Sequence, residues 1–416
     1  MPLSLLLAAL AAADPPDLRA FCIDFNWGPG LPSGFAAPGL WANASPEEHV
    51  AWYEALGCNV IQTFAVSCNG RSWYKDGVVP AQPGLARDFL PEVVKLGHAR
   101  GMKVMGYFCA GANALWAEEH PDLSYGAPGA PHIPFTTEYL DYLAASIEDA
   151  LRKTGMDGFM IDWMWNPGDW NLEPLRWLPC ERATWTELLG GSFPGPEAVT
   201  KEQDLEFRRR AIDRCWERIR SAAKEVKPDC ILWLSCSNVA APTVVDSRLF
   251  REVDWSMNEA TDPAALAAVA RMKGPHTRLI QCVVGWGDAH DARRIVTSPA
   301  AHGLGIYGFA KPGESSLPLP VAEYRARSIA SFAGNDRNIA VLARLYTGLD
   351  LDILVVAGAE FPLESVETGT WRDYRTFPVG TIAIGRPGRQ VVAVVPVPAG
   401  SWHAISLKSI RLEPVR

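Results

Sequence analysis

The feature that most restricts this chain is a repeated alternation of short apolar runs with longer amphipathic ones. Strand-like runs occur at Phe21 to Trp27, Asn59 to Ser67, Lys103 to Gly111, Gly158 to Trp165, Cys230 to Ser237, Val253 to Asn258, Leu279 to Trp286 and Gly305 to Ala310. Between them, helical spacing marks Pro46 to Leu56 behind the N-cap Ser45, Asp88 to Ala99, Thr137 to Lys153, Gln203 to Glu225, Ala264 to Met272, Asp291 to Val296 and Val321 to Phe332. The segment Ala240 to Arg251 carries the weakest helical pattern. Near-continuous apolar strands need cover on both faces, which parallel strands obtain from helical crossovers. Eight such units predict a closed (β/α)8 TIM barrel over residues 14–334.

After Asn335 the rhythm changes. Asn338 to Arg344, Asp352 to Ala357, Gly380 to Ile384, Gln390 to Val395 and Trp402 to Leu407 read as strands separated by Gly- and Pro-containing turns. They predict a small C-terminal antiparallel, β-sandwich-like domain over residues 335–416. At the other end, residues 1–13 form an apolar stretch running into small residues before Asp14-Pro15-Pro16. That resembles the apolar region and cleavage site of a secretory signal, so an exported (periplasmic or secreted) protein is expected, with a cytoplasmic one as the alternative. The stretch is shorter than the ~20 residues a membrane span needs, and no other segment is apolar enough. Nothing in the sequence reports oligomeric state.

A net charge of −8 with no block of Lys or Arg excludes the electrostatic footprint of a nucleic-acid binder. An uncharged polar partner fits better. The 16 tryptophans point toward sugars, because indole faces pack on apolar C–H faces. The nine cysteines show no CxxC spacing and fall mainly in apolar runs, as small buried hydrophobes do. No GxSxG elbow, Walker loop or HExxH motif is present, and the histidines are dispersed. No metal or other cofactor is therefore expected.

Polar and aromatic residues gather at the ends of the strand runs: Asp24, Asn26 and Trp27; Gln62; Tyr107; Asp162 and Trp163; Ser235 and Ser237; Asn258 and Glu259; Trp286; Lys311. Barrel active sites occupy the C-terminal face of the strands, so these residues predict the pocket wall. Hydrolysis of a glycosidic bond needs two carboxylates, one to attack the anomeric carbon or activate water and one to protonate the leaving oxygen. Asp162, behind Phe159-Met160-Ile161 in "DGFMIDWMWNP", is the expected nucleophile, and Glu259 the leading acid/base. Rivals for the second role are Glu118, Glu119 and Asp169. Asp254 precedes its strand tip and is expected to bond lower in the barrel. Asn26, Trp27, Gln62, Tyr107, His120, Trp163, Asn258, Trp286 and Lys311 are expected sugar contacts. The long segment from Asn166 to Thr200, rich in Trp, Pro and Gly, has the length of a binding loop or lid.

"RKTGMDGFMIDW" resembles the nucleophile strand of the α-L-fucosidases of glycoside hydrolase family twenty-nine and of fucosidase-like glycosyl hydrolases. "MKVMGYFCAGANALWAEEHPDLSYG" is similar to their third strand and following loop, and the order of barrel then β-domain matches too. The resemblance implies a retaining, exo-acting enzyme with Asp162 as nucleophile, acting on a terminal α-linked sugar of a glycan. Where that family carries paired histidines after the third strand, this chain has the single His120. The pairing of strands four and six is also similar to the α-galactosidase clan. An α-galactosidase-like hydrolase, an inverting hydrolase and a catalytically silent sugar-binding barrel are the alternative readings.

Overall fold

The computed structural model describes residues 17–347 apart from 29–34, 127–131, 165–174, 237–238, 246, 260–262, 286–291, most of 293–302, 314 and 328; beyond 347 it describes residues 352–356, 359–363 and 392–395. Residues 1–13, Gly380 to Ile384 and Trp402 to Leu407 lie outside the described residues, as do Asp291, Arg293 and Arg294.

Eight parallel strands close into a barrel in simple sequence order: β1 (Arg19–Ile23), β2 (Val60–Gln62), β3 (Lys103–Cys109), β4 (Gly158–Asp162), β5 (Ile231–Cys236), β6 (Trp255–Asn258), β7 (Arg278–Val284) and β8 (Gly305–Ala310). The described helices are α1 (Pro46–Leu56), α2 (Phe89–His98), α3 (Ala114–Glu119), α4 (Thr137–Thr154), α5 (Pro179–Leu189), α6 (Lys201–Val226), α7 (Leu249–Glu252), α8 (Pro263–Met272), α9 (Val321–Ala326) and α10 (Asn335–Leu345). Ser45 caps α1 as its sequence predicts, its side chain accepting the Glu48 N–H at 3.2 Å. Gly57 then ends the helix at φ 92°, a left-handed conformation that suits glycine.

Strand alternation decides which residues face the barrel interior. Phe21 packs on Trp52 of α1, outside the barrel. Tyr307 instead crosses the interior, its hydroxyl donating to Gln62 Oε1 at 2.9 Å and its ring meeting Trp233 of β5 edge-on. With Tyr307 facing in, the register Cys22↔Phe309, Cys22↔Gln62, Tyr107↔Met160, Met160↔Trp233, Ser235↔Met257 and Cys282↔Tyr307 assigns all of these positions to the interior.

Three expectations need correction. The apolar run Asn338 to Arg344 is part of a helix, α10, not a strand. It packs on the barrel: Asn338 donates to the Val283 carbonyl at 2.6 Å, and Tyr346, just past the helix, donates to Ala20 and Ile306 carbonyls at 3.1 and 3.0 Å. The barrel unit thus extends beyond residue 334. Periodicity cannot separate a fully buried helix from a buried strand, and every residue from Asn338 to Leu345 is buried. Among the described residues, the Ala240 to Arg251 crossover holds a single short helix, the four-residue α7 that ends at Glu252. Val321 to Phe332 divides into α9 and a 3-10 turn, Ile329–Ser331. Farther on, β9 (Asp352–Val356) pairs antiparallel with both β10 (Ala359–Leu363) and β11 (Val392–Val395).

None of the nine cysteines is paired in a disulfide, and eight of them are buried. Among the described residues no helix is long and apolar enough to cross a membrane.

Candidate active site

The inward alternation carries past the strand ends. Continuing from Cys22, Met160, Met257 and Phe309, it places Asp24, Asp162, Glu259 and Lys311 on the inner side of the C-terminal rim. Three carboxylates and an ammonium group therefore share one mouth.

Asp162 is held on both oxygens. The Tyr107 hydroxyl donates to Oδ2 at 2.9 Å and the Trp163 N–H to Oδ1 at 2.9 Å, with the Ser235 side chain a further partner. Burial pushes its pKa up to about 6, and the three hydrogen bonds oppose that rise by favouring the ionised form. Tyr107 is itself braced by Cys68 Sγ at 3.5 Å.

Trp163 adopts φ 56°, the left-handed region that a bulky residue seldom occupies. Its ring stacks on His132 at 5.2 Å and meets Phe35 at 5.7 Å, while Phe35 meets Trp27 at 5.5 Å. A Cβ on Gly111 would lie 2.6 Å from the Trp163 carbonyl oxygen, so only glycine allows this turn to settle against β3. We expect Gly111→Ala to cost about 1–3 kcal/mol in urea unfolding, the usual range for overpacking, and to lower activity with it. Unchanged unfolding midpoints would show instead that the Trp163 turn yields freely.

The remaining expected residues divide by location. Asn26 is a strut: its N–H bonds Asp24 Oδ1 at 2.9 Å, and its Oδ1 accepts the Cys68 N–H at 2.8 Å, tying the loop after β1 to the loop after β2. Gln62 lies beneath the rim and is 1% exposed. Asn258 alternates away from Glu259; it is fully buried and donates to Gln281 Oε1 at 3.1 Å, on the helix side of β6 and β7. His120 packs against Trp116 at 4.0 Å with its ring tilted, and Trp116 packs on Tyr139 and Tyr142 of α4. Glu118 and Glu119 are exposed on α3, and Asp254 bonds Leu232 N and Lys224 Nζ at the opposite end of the strands. Trp286 and Asp169 lie outside the described residues.

Part of the expected lid is folded. Trp177, Trp185, Phe193 and Phe207 pack together, and Glu181 accepts N–H bonds from Trp177 and Leu178 and a 2.6 Å bond from the Tyr125 hydroxyl. This ties α5 to the loop after α3.

Sequence reasoning placed Asp24 on the pocket wall without giving it a chemical role, and it passed over His132. Asp24 sits two residues past the inward Cys22, and that parity was the available signal. Its pKa is pushed up to about 7 by burial, then by repulsion from Asp162, against the opposing pull of the Asn26 N–H, Lys311 and a Trp27 side-chain bond. His132 is driven down to about 4 by burial, so a neutral ring faces Trp163 near pH 7. Among the described residues no cluster of three or more His, Cys, Asp or Glu could hold a metal ion.

Fold and site together define a glycosyl hydrolase-like (β/α)8 protein. Residues 45–163 match the family described as "Hypothetical glycosyl hydrolase 6", a match covering less than a third of the chain and ending one residue beyond Asp162. No functionally curated protein matches the sequence. Among solved structures, α-L-fucosidase isoenzyme 2 from Paenibacillus thiaminolyticus is similar with a TM-score of 0.52 at 15% identity, over 79% of this chain and 49% of that one. The PgaB (BpsB) glycoside hydrolase domain from Bordetella bronchiseptica gives 0.50 at 14%, over 74% of this chain and 97% of that one. The β-galactosidase from the psychrophilic Marinomonas ef1 gives 0.50 at 12%, over 80% and 61%. This chain spans about half the length of the fucosidase. At such identities the likeness establishes a shared fold, and the resemblance to fucosidases stands at that level.

Proposed function

We propose that this protein is a retaining exo-glycoside hydrolase acting on a terminal α-linked sugar of a glycan, fucose or a galactose-like residue. The observation that carries this reading is the fixed orientation of Asp162. A carboxylate held by Tyr107, Trp163 and Ser235 at the inner end of β4 is preorganised to attack one point in the pocket. Its oxygen bonds to the anomeric carbon as the bond to the leaving oxygen breaks, and Glu259 supplies the proton that oxygen takes up. Glu259, now ionised, removes a proton from water; the water oxygen attacks the same carbon and the bond to Asp162 breaks. Two inversions give net retention. The fucosidase-like strand β4 and the α-L-fucosidase and β-galactosidase barrels of similar fold support the choice of sugar class.

The assignment of Glu259 is tested with Glu259→Gln on aryl glycosides of differing leaving-group acidity. We expect turnover of 4-nitrophenyl glycosides to fall about 10²- to 10⁴-fold, the usual contribution of a general acid. The first step on 2,4-dinitrophenyl glycosides, whose leaving group needs no proton, should be nearly normal. An equal loss on both substrates would remove Glu259 from the role. Release of the inverted anomer by the wild-type protein, followed by NMR, would replace retention with a single displacement.

A further inference from the structure

One pair of charged residues on the rim is unused by this chemistry. Strand register delivers Asp24 and Lys311 side by side: Ile23 pairs with Ala310, and the Asp24 N–H donates to the Ala310 carbonyl at 2.9 Å. Both continue the inward alternation of Cys22 and Phe309, so both project over the same floor as Asp162. Asp24 is only 9% exposed, whereas Glu259 and Lys311 are half-buried.

A local turn holds Asp24, which accepts the Asn26 N–H on Oδ1 and a Trp27 side-chain bond. It does not explain why a second buried acid is kept within reach of Asp162, whose negative charge repels it. A sugar resolves that conflict. Adjacent pyranose hydroxyls are each donor and acceptor, so a carboxyl and an ammonium group side by side can bind a vicinal pair, and a bound hydroxyl donates to the acid that water can no longer reach. Trp27 and Trp163, linked through Phe35, supply aromatic surface along the same wall for the ring's C–H face.

We propose that Asp24 and Lys311 form a clamp for two adjacent hydroxyls of the sugar bound over Asp162, and that this clamp selects the sugar's configuration. The inference rests on the glycoside hydrolase reading and adds the element of specificity to it. It leaves Glu259 as the group that serves the leaving oxygen.

The test combines binding and turnover for wild type, Asp24→Asn and Lys311→Met, with folding checked by circular dichroism. Calorimetry with L-fucose, D-galactose, D-glucose and D-mannose should find one preferred sugar for the wild type and a weakening of about 10-fold or more in either variant, as expected when a buried hydroxyl partner is lost. Kinetically, kcat/KM should fall equally on 4-nitrophenyl and 2,4-dinitrophenyl glycosides of that sugar. Monodeoxy analogues should show the same loss for wild type at two neighbouring ring positions, and little additional loss in the variants. Unchanged affinity in both variants, or a wild type that binds none of the sugars, would overturn the clamp. A loss confined to 4-nitrophenyl substrates would make Asp24 a proton donor instead. Calorimetry needs no turnover, so inactivity of the wild type would fail the hydrolase reading while the clamp is still judged by binding.

Discussion

Asp162→Ala is expected to lower kcat/KM on aryl glycosides about 10⁴-fold or more, roughly 5.5 kcal/mol of transition-state stabilisation. Removing the side chain also leaves a small anion site against Tyr107, Ser235 and the Trp163 N–H, the three groups that hold the carboxylate. Azide should enter that space and restore part of the rate. It would attack the anomeric carbon from the face Asp162 had occupied and yield a glycosyl azide of inverted configuration, identifiable by NMR. In the wild type, kcat/KM should rise with pH through about 6, because the proposed nucleophile must be ionised to attack and burial has raised the pKa of Asp162 to that value. A variant that keeps full activity, or an azide product of retained configuration, would dismiss Asp162 as the nucleophile.

Asp24→Asn is expected to do the opposite to stability. The folded protein holds a proton on Asp24 up to about pH 7, whereas an unfolded chain releases it near 3.9. A carboxyl with a raised folded pKa contributes stability that is fully present below the unfolded value and is lost as pH climbs through the folded one. The loss therefore accumulates between about pH 4 and 7. Asparagine does not titrate, so the variant should match or fall below wild type at pH 4 and exceed it by about 2–4 kcal/mol at pH 8, taking ~1.4 kcal/mol per unit of pKa. Urea unfolding at pH 4, 5.5 and 8 reads this directly. A difference that stays constant across the three would contradict it. A gain in stability accompanied by weaker sugar binding is the pattern of a residue kept for function at a cost to the fold.

Such paired effects come from the position of a side chain rather than from its type, and that distinction separates what was legible. The eight strands, the Ser45 cap and Asp162 at the tip of β4 could all be read locally, because alternation, capping and strand termination depend on a few neighbouring residues. Asp254 likewise bonds low on the barrel, as its place before β6 suggested. The run from Asn338 to Arg344 was misread because a residue buried on every side has no polar face to reveal its period.

By itself, then, the sequence determined a parallel barrel with an acid at the mouth of its fourth strand: hydrophobic period and polar strand ends are properties of short segments. Only the tertiary structure decided which polar residues meet. Pairing β8 with β1 sets Lys311 beside Asp24, the alternation along β6 turns Glu259 inward and Asn258 toward the helices, and the turn at Trp163 brings its ring to His132 rather than to His120. Those outcomes depend on closing the sheet into a ring, a long-range constraint in which strand register fixes side-chain direction across segments far apart in the chain.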